Sequence, residues 1–262
     1  MKIQAKYDKI GFTYNETRCA DSYITERLLH HLSPLKNKLY VDLGCGTGNY
    51  TIALHNKGID FIGIDPSVEM LEKAKNKCDT ITWNLGHAEN FLLEDNSIDG
   101  VLATLTIHHW SNLLKALQNI YRILKPDSTF VIFTSTPKQM KGYWLNHYFL
   151  EMMKASIAQM PTLKSVTSSL GRAGFKIEIT EQYFVKDDLQ DMFLYAGKHR
   201  SELYLNPLIR RGISSFSALA NREEVKHGLK RLEDDIRNGT IKQIMSNYKN
   251  DDGDYLFIKA TT

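Results

Sequence analysis

A glycine-rich turn constrains this chain more than any other segment. Apolar residues run into Asp42, and a helical pattern begins at Tyr50. Between them three glycines alternate with other residues: Gly44, Gly46 and Gly48. This order predicts a buried strand, a tight turn and a helix N-terminus. Glycine has no Cβ and tolerates positive φ, so a ligand can approach bare backbone. Because the N–H groups of a first helical turn favour an anionic group, we expect a nucleoside-like ligand with such a group here.

The spacing of the glycines discriminates between nucleotide-binding loops. A dinucleotide fingerprint reads G-x-G-x-x-G, but its last position is Asn49 here, and the extra glycine falls one residue early at Gly48. A phosphate-binding P-loop needs Lys followed by Ser or Thr, and neither pair follows these glycines. The spacing therefore disfavours a nicotinamide dehydrogenase and a P-loop enzyme.

Strand and helix patterns continue in an alternating order after this turn. Residues 59–65 read as a second strand that ends in Asp65, about twenty residues after the first, where an acid binds a ribose in nucleoside sites. A carboxylate suits that role because it only accepts hydrogen bonds. Further strands are expected at 81–83, 97–103, 129–134, 175–180 and 255–260, and further helices at 22–32, 111–124, 142–153, 161–174, 221–239 and 241–248.

This succession resembles the class I, Rossmann-like S-adenosylmethionine (SAM) methyltransferases of the ubiquinone and menaquinone biosynthesis type, over about residues 38–136. The resemblance implies an α/β fold with a doubly wound, mostly parallel, seven-stranded sheet of order 3-2-1-4-5-7-6, in which strand 7 is antiparallel. It also implies SAM as cofactor and S-adenosylhomocysteine as product, with the methionine part of SAM held by the glycine turn. It does not define the acceptor, since the family methylates very different molecules.

The resemblance assigns candidate cofactor ligands residue by residue. Asp42 would organise the glycine loop and reach the SAM amino group, or else only cap loop amides, and Asp65 would bind the ribose. His87 stands where many relatives have an adenine-binding aspartate, so it would accept from adenine, stack, or be an ordinary loop residue. Tyr14 and Arg18 resemble a segment that lies over SAM and its carboxylate, with a surface role as the alternative. The full set is Tyr14, Arg18, Asp42, Gly44, Cys45, Gly46, Gly48, Asp65, Pro66, Met70, His87, Ala88, Glu89, Thr104, Leu105 and His109.

Two histidines after the fourth strand are the candidate catalytic residues. His108 and His109 fall at the carboxyl edge where open α/β sheets bind ligands. A histidine base would help an alcohol or phenol acceptor lose its proton, whereas a neutral amine, thiolate or carboxylate would need only in-line positioning. The alternative is packing and helix capping, because relatives with unrelated acceptors carry similar His-His endings.

The chain divides into a core and two helical additions. We expect an N-terminal helical lid segment at 1–37, a SAM-binding core at 38–180 and 251–262, and a helical insertion at 181–250 that caps the substrate. A homodimer surface is the alternative role of the insertion. Asn221 and Glu224 form a capping pattern within it. An aromatic run at 143–149 would either wall the acceptor pocket or form plain core.

We expect methyl transfer to a small-molecule O, N or carboxylate acceptor by in-line displacement. The 262 residues carry 33 basic and 30 acidic side chains without a basic stripe, which disfavours nucleic acid as a partner. Three scattered cysteines predict no metal site, and the absence of a long apolar run or a leader predicts no membrane association and a cytoplasmic location. An RNA or protein methyltransferase remains an alternative, although no N-P-P-Y-like motif follows strand four. A non-catalytic SAM-binding sensor is the other.

Overall fold

The computed structural model describes residues 17–262, and its seven strands form one sheet of order β3-β2-β1-β4-β5-β7-β6. Strand β7 runs antiparallel to its neighbours β5 and β6, and the other pairings are parallel. This arrangement confirms the expected fold class. The strands are β1 Leu39–Leu43, β2 Asp60–Asp65, β3 Thr82–Leu85, β4 Ile98–Thr104, β5 Leu124–Thr134, β6 Lys176–Tyr183 and β7 Tyr255–Thr261.

Ten α-helices in the described part of the chain connect and cover the strands. They are α1 Ser22–Leu32, α2 Asn49–His55, α3 Val68–Lys77, α4 Leu113–Ile123, α5 Pro137–Lys141, α6 Leu150–Gln159, α7 Leu163–Ala173, α8 Pro207–Arg211, α9 Arg222–Asn238 and α10 Ile241–Asn247. Short 3-10 turns occupy Ile107–His109, Trp144–His147 and Ser201–Leu205, and Ser215–Leu219 forms one π-helical turn. None of the helices within 17–262 combines the length and the apolar character needed to cross a bilayer.

Alternation along the central strands gives the sheet two apolar faces. In β5, Phe130 and Ile132 point to one core, and Val131 and Phe133 point to the other. The first core is closed by α4 and α7. The second contains α1, α2, α6 and the helices between β6 and β7. A strand buried on both faces needs apolar residues at successive positions, and β5 has such a run at residues 130–133.

The long connection between β6 and β7 contains no helix over residues 184–200, so the expected helical insertion is helical only from Ser201 onward. The caps of its helices differ in part from expectation. Asn221 does cap α9, accepting from the Glu223 amide. Glu224 does not complete that cap; its carboxylate instead accepts from the amides of Glu151 and Met152 at the start of α6, at 2.7 and 3.1 Å. The carboxylate therefore ties α9 to the start of α6.

The aromatic run is core. Tyr143 stacks on Tyr195 with ring centroids 3.9 Å apart, and Phe149 is fully buried. The run also breaks the expected continuous helix, because a 3-10 turn at Trp144–His147 precedes α6. Strand β6 extends to Tyr183, beyond the expected end at 180, because β7 pairs with it as far as Tyr255.

Candidate functional site

A large cavity opens at the carboxyl edge of β1, β2 and β4, with about 1290 Å³ of space including its mouth. Ligand sites in open α/β sheets form at this edge. The lining residues in the described part of the chain are Arg18, Asp42, Gly44, Cys45, Gly46, Thr47, Asn49, Tyr50, Asp65, Met70, Thr104, Leu105, Thr106, His108, His109, Ser135, Met140, Ser156, Gln159, Met160, Asp191, Phe193, Leu194, Ile213, Ser214, Ser215, Leu219 and Tyr255. This set contains most of the residues predicted from the sequence.

The glycine turn requires glycine at its first position. Gly44 has φ +77°, and a Cβ placed there would lie 2.0 Å from the side-chain oxygen of Thr106. Gly46 has φ +55° and lines the cavity with Gly44. Gly48 has φ +75° and begins α2, but it packs against the Trp83 ring and is not among the residues that line the cavity.

Asp65 connects the end of β2 to the glycine turn. One carboxylate oxygen accepts from the Gly46 amide at 2.8 Å, and the other accepts from the Ser67 amide at 2.9 Å. The side chain lies at the cavity wall and the residue is 8% exposed. A carboxylate only accepts hydrogen bonds, which suits the donors of a diol.

Asp42 is a buried carboxylate whose hydrogen bonding is incomplete. Its Oδ2 accepts from the Thr51 hydroxyl at 2.6 Å, whereas its Oδ1 has no hydrogen-bond partner within residues 17–262. Burial, together with the nearby charge of Asp65, raises the pKa of Asp42 to about 6. The Thr104 hydroxyl, also in the cavity wall, is another buried group for which residues 17–262 supply no partner. Such unsatisfied buried groups are costly, so a ligand with cationic N–H donors fits this wall.

The segment after β4 carries the two candidate catalytic histidines. Leu105 adopts φ +54°, unusual for a non-glycine residue, and its amide donates to Phe133 O at 2.8 Å. The turn that follows brings His108 and His109 to the cavity wall, with ring centroids 3.9 Å apart. The structure thus places both imidazoles beside the cavity, and their chemical role stays a prediction.

Arg18 lies in the cavity wall in a bidentate pair with Asp191. Arg18 Nε and Nη2 donate to the two carboxylate oxygens at 2.5 and 3.1 Å, and the Tyr50 hydroxyl donates to the second oxygen at 3.1 Å. Asp191 was not predicted from the sequence. It lies in an irregular segment 173 positions from Arg18, so no local pattern could indicate the pairing.

Several predicted cofactor residues do not line this cavity. Tyr14 lies outside the described residues. His87 is exposed and forms a bridge with Asn90, and the Ala88 carbonyl accepts from Asn119. Pro66, Gly48 and Glu89 also do not line the cavity. The Glu89 carboxylate instead accepts from the Ser111 hydroxyl and the Asn112 amide. The adenine-binding roles proposed for His87 and its neighbours stay predictions.

Twelve of the lining residues from position 135 onward are uncharged, and sequence reasoning assigned none of them to the site. They are Ser135, Met140, Ser156, Gln159, Met160, Phe193, Leu194, Ile213, Ser214, Ser215, Leu219 and Tyr255. Segments between β6 and β7 supply half of them. The wall of this one cavity therefore combines a group of residues with charged side chains, among them Arg18, Asp42 and Asp65, with a second group that carries no charge.

Comparisons with known proteins agree with the fold. A family model described as a methyltransferase domain matches residues 41–132. A protein of Anabaena variabilis, described as an antibiotic-pathway methyltransferase, superposes with a TM-score of 0.84 at 34% identity, covering 94% of this chain and 99% of that one. A demethylmenaquinone methyltransferase of Lactiplantibacillus plantarum is 30% identical over 58% of this chain and 70% of the relative.

A methyltransferase of Mycobacterium bovis is 32% identical over 43% of this chain, and that match spans 46% of the relative, about half its length. The sheet order, the glycine turn and these matches define the class. The chain belongs to the class I S-adenosylmethionine-dependent methyltransferases.

Proposed function

We propose that this protein transfers the methyl group of SAM to a small, uncharged and largely apolar acceptor. The observation that carries the proposal is that two chemically different groups of residues line one cavity. The first group has carboxylates and an arginine, which suit the ribose, ammonium and carboxylate groups of SAM, and we assign it to a charged cofactor end. The second group presents serine hydroxyls, an amide and apolar side chains, and we assign it to an acceptor end.

The residues at the charged end fit SAM by their donor and acceptor chemistry. Asp65 would accept from the ribose hydroxyls, as in other nucleoside sites. Asp42 Oδ1 and Thr104 Oγ1 would accept from the α-ammonium group, which satisfies two buried groups that residues 17–262 leave without partners. Arg18 would pair with the α-carboxylate, since a guanidinium binds carboxylates in a planar fashion.

The protein would orient the acceptor, exclude water from the reacting atoms and supply a proton acceptor. When bound, SAM supplies an electrophilic methyl group on a sulfonium. The apolar wall holds the acceptor close to that group and excludes water, because transfer needs the reacting atoms about 3 Å apart. For an alcohol or phenol, His109 or its neighbour His108 would accept the proton, with a contribution of about 10²–10⁴ in rate.

The insertion and the N-terminal segment act as caps in this proposal. Residues within 193–219 contribute to the acceptor end of the cavity, and Arg18 contributes to the cofactor end. A small molecule suits a space covered in this way better than a folded RNA or protein does. The absence of charge at the acceptor end also disfavours carboxylate and phosphate acceptors, because burying an unpaired charge is costly.

Two experiments test the proposal. Thermal-shift measurements should show stabilisation by SAM and S-adenosylhomocysteine and none by NAD or NADP. Methylation assays with labelled SAM should then find turnover among neutral phenols, alcohols and amines, and not among matched carboxylates. Turnover confined to carboxylates or to RNA would contradict the acceptor class. Binding of SAM without release of S-adenosylhomocysteine from any acceptor would instead favour a sensor.

A further inference from the structure

Asp191 lies where three distant segments of the chain meet at the cavity wall. Arg18 comes from the segment before α1, Tyr50 comes from α2 after the glycine turn, and Asp191 comes from the connection between β6 and β7. The Arg18 guanidinium and the Tyr50 hydroxyl both donate to the Asp191 carboxylate, which is only 1% exposed.

The residues beside Asp191 are hydrogen-bonded to the segment that contains Arg18. The Gln190 amide donates to the Asp21 carboxylate at 3.0 Å, and the Ser22 amide donates to the Gln190 side chain at 3.0 Å. The Met192 amide donates to Thr17 O at 3.2 Å. Residues 190–192 are therefore bonded to residues 17–22 on both sides of the ion pair, so the position of Asp191 relative to Arg18 is well defined.

A buried ion pair of this kind is weak evidence of a stabilising role. The desolvation of the two charges offsets much of their attraction, so such a pair often adds little to stability. Its geometry, by contrast, restricts the arginine. The bidentate contact fixes the plane of the guanidinium. Because the pair forms part of the cavity wall, the orientation of Arg18 toward a bound ligand depends on Asp191.

We infer that Asp191 is a positioning residue that sets the affinity of the site for the amino-acid part of the cofactor, by holding Arg18 in place. This inference rests on the proposed function. It makes a specific distinction between ligands. S-adenosylhomocysteine carries an α-carboxylate, whereas 5′-methylthioadenosine has the same adenosyl thioether without the amino-acid part.

The test is calorimetry of Asp191→Asn with both ligands. Affinity for S-adenosylhomocysteine should fall about tenfold or more, as expected for the loss of a charge-assisted interaction. Affinity for 5′-methylthioadenosine should stay within about twofold of the parent value, which also shows that the variant is folded. The matched control is Asp188→Asn, an exposed residue of the same segment, and it should leave both affinities unchanged.

Two further variants keep the test decisive. Tyr50→Phe removes one hydroxyl from the network and should weaken S-adenosylhomocysteine binding selectively by a smaller factor, and Asp191→Glu should restore part of the lost affinity. The inference would be overturned if Asp191→Asn and Tyr50→Phe lost affinity for both ligands to the same extent. It would also be overturned if neither variant lost affinity for either ligand. Failure of the parent protein to bind S-adenosylhomocysteine at all would instead refute the proposed function.

Discussion

Asp42→Asn should stabilise the ligand-free protein while it weakens cofactor binding. Burial raises the pKa of Asp42 from its ordinary 3.8 to about 6, so the folded state disfavours the charged carboxylate. The cost is absent below about pH 4, where the group is protonated whether folded or unfolded, and it is complete above about pH 6. The difference between the two pKa values corresponds to about 3 kcal/mol of lost stability at neutral pH.

Asparagine removes the charge and keeps the acceptor for Thr51. We therefore expect Asp42→Asn to raise the free energy of unfolding by about 1–3 kcal/mol at pH 7.5, the lower value allowing for the desolvated amide. The gain should shrink at pH 5, where the parent is mostly protonated. Urea denaturation without cofactor at both pH values measures it. Asp60→Asn, on the exposed start of β2, should change stability by less than about 0.5 kcal/mol at either pH. An equal or lower stability of Asp42→Asn than of the parent at pH 7.5 would refute the reasoning.

The same change tests the proposed contact with the α-ammonium group. Affinity of Asp42→Asn for S-adenosylhomocysteine should fall about tenfold at pH 7.5, since a charge-assisted hydrogen bond is lost. In the parent, affinity should decline as the pH falls below about 6, because protonated Asp42 no longer attracts the cation. The variant should lack this decline. Equal affinities at all pH values would place the ammonium group elsewhere.

Three further changes separate the parts of the site. His109→Ala should lower turnover of a phenol or alcohol acceptor by about 10²–10⁴, a far larger change than in its affinity for S-adenosylhomocysteine; near-full turnover would show that transfer depends on positioning alone. Gly44→Ala should abolish S-adenosylhomocysteine binding and lower the free energy of unfolding by on the order of 2–4 kcal/mol, because a Cβ there meets Thr106 and φ is positive. Gly171→Ala is the control: its Cβ would enter open space on a helix, so it should raise the free energy of unfolding by about 0.5–1 kcal/mol. Urea denaturation measures both changes. Ser156→Leu, at the acceptor end, should raise the acceptor KM and leave cofactor affinity intact, as competition kinetics would show; equal effects on both would contradict the division of the cavity.

Local chemistry explains what could be predicted from the sequence. The glycine turn was predictable because positive φ and a missing Cβ depend on neighbouring residues. The place of Asp65 in the cavity wall was predictable because it ends a strand at the spacing typical of nucleoside sites, and its role toward the ribose stays a prediction. The sheet order followed from the family resemblance, since no short pattern states which strands pair.

Long-range packing explains what could not be predicted. The partnership of Asp191 with Arg18 spans 173 positions and needs the folded chain to become visible. The aromatic run at 143–149 suited either a pocket or a core, and contact with residues such as Tyr195 decided for the core. The end of β6 depends on its pairing with β7, so sequence alternation could not locate it. The acceptor end collects single residues from many segments, and none of those residues forms a motif.

The most direct measurement is calorimetric titration of the parent protein and Asp65→Asn with S-adenosylhomocysteine, with NAD as the comparison ligand. We expect saturable binding with one site in the parent, binding at least about tenfold weaker in Asp65→Asn because the proposed acceptor of the ribose diol is altered, and no heat with NAD. If titration of S-adenosylhomocysteine released no heat with either protein, or if NAD bound saturably, the assignment of this glycine turn as a SAM-binding loop would be contradicted.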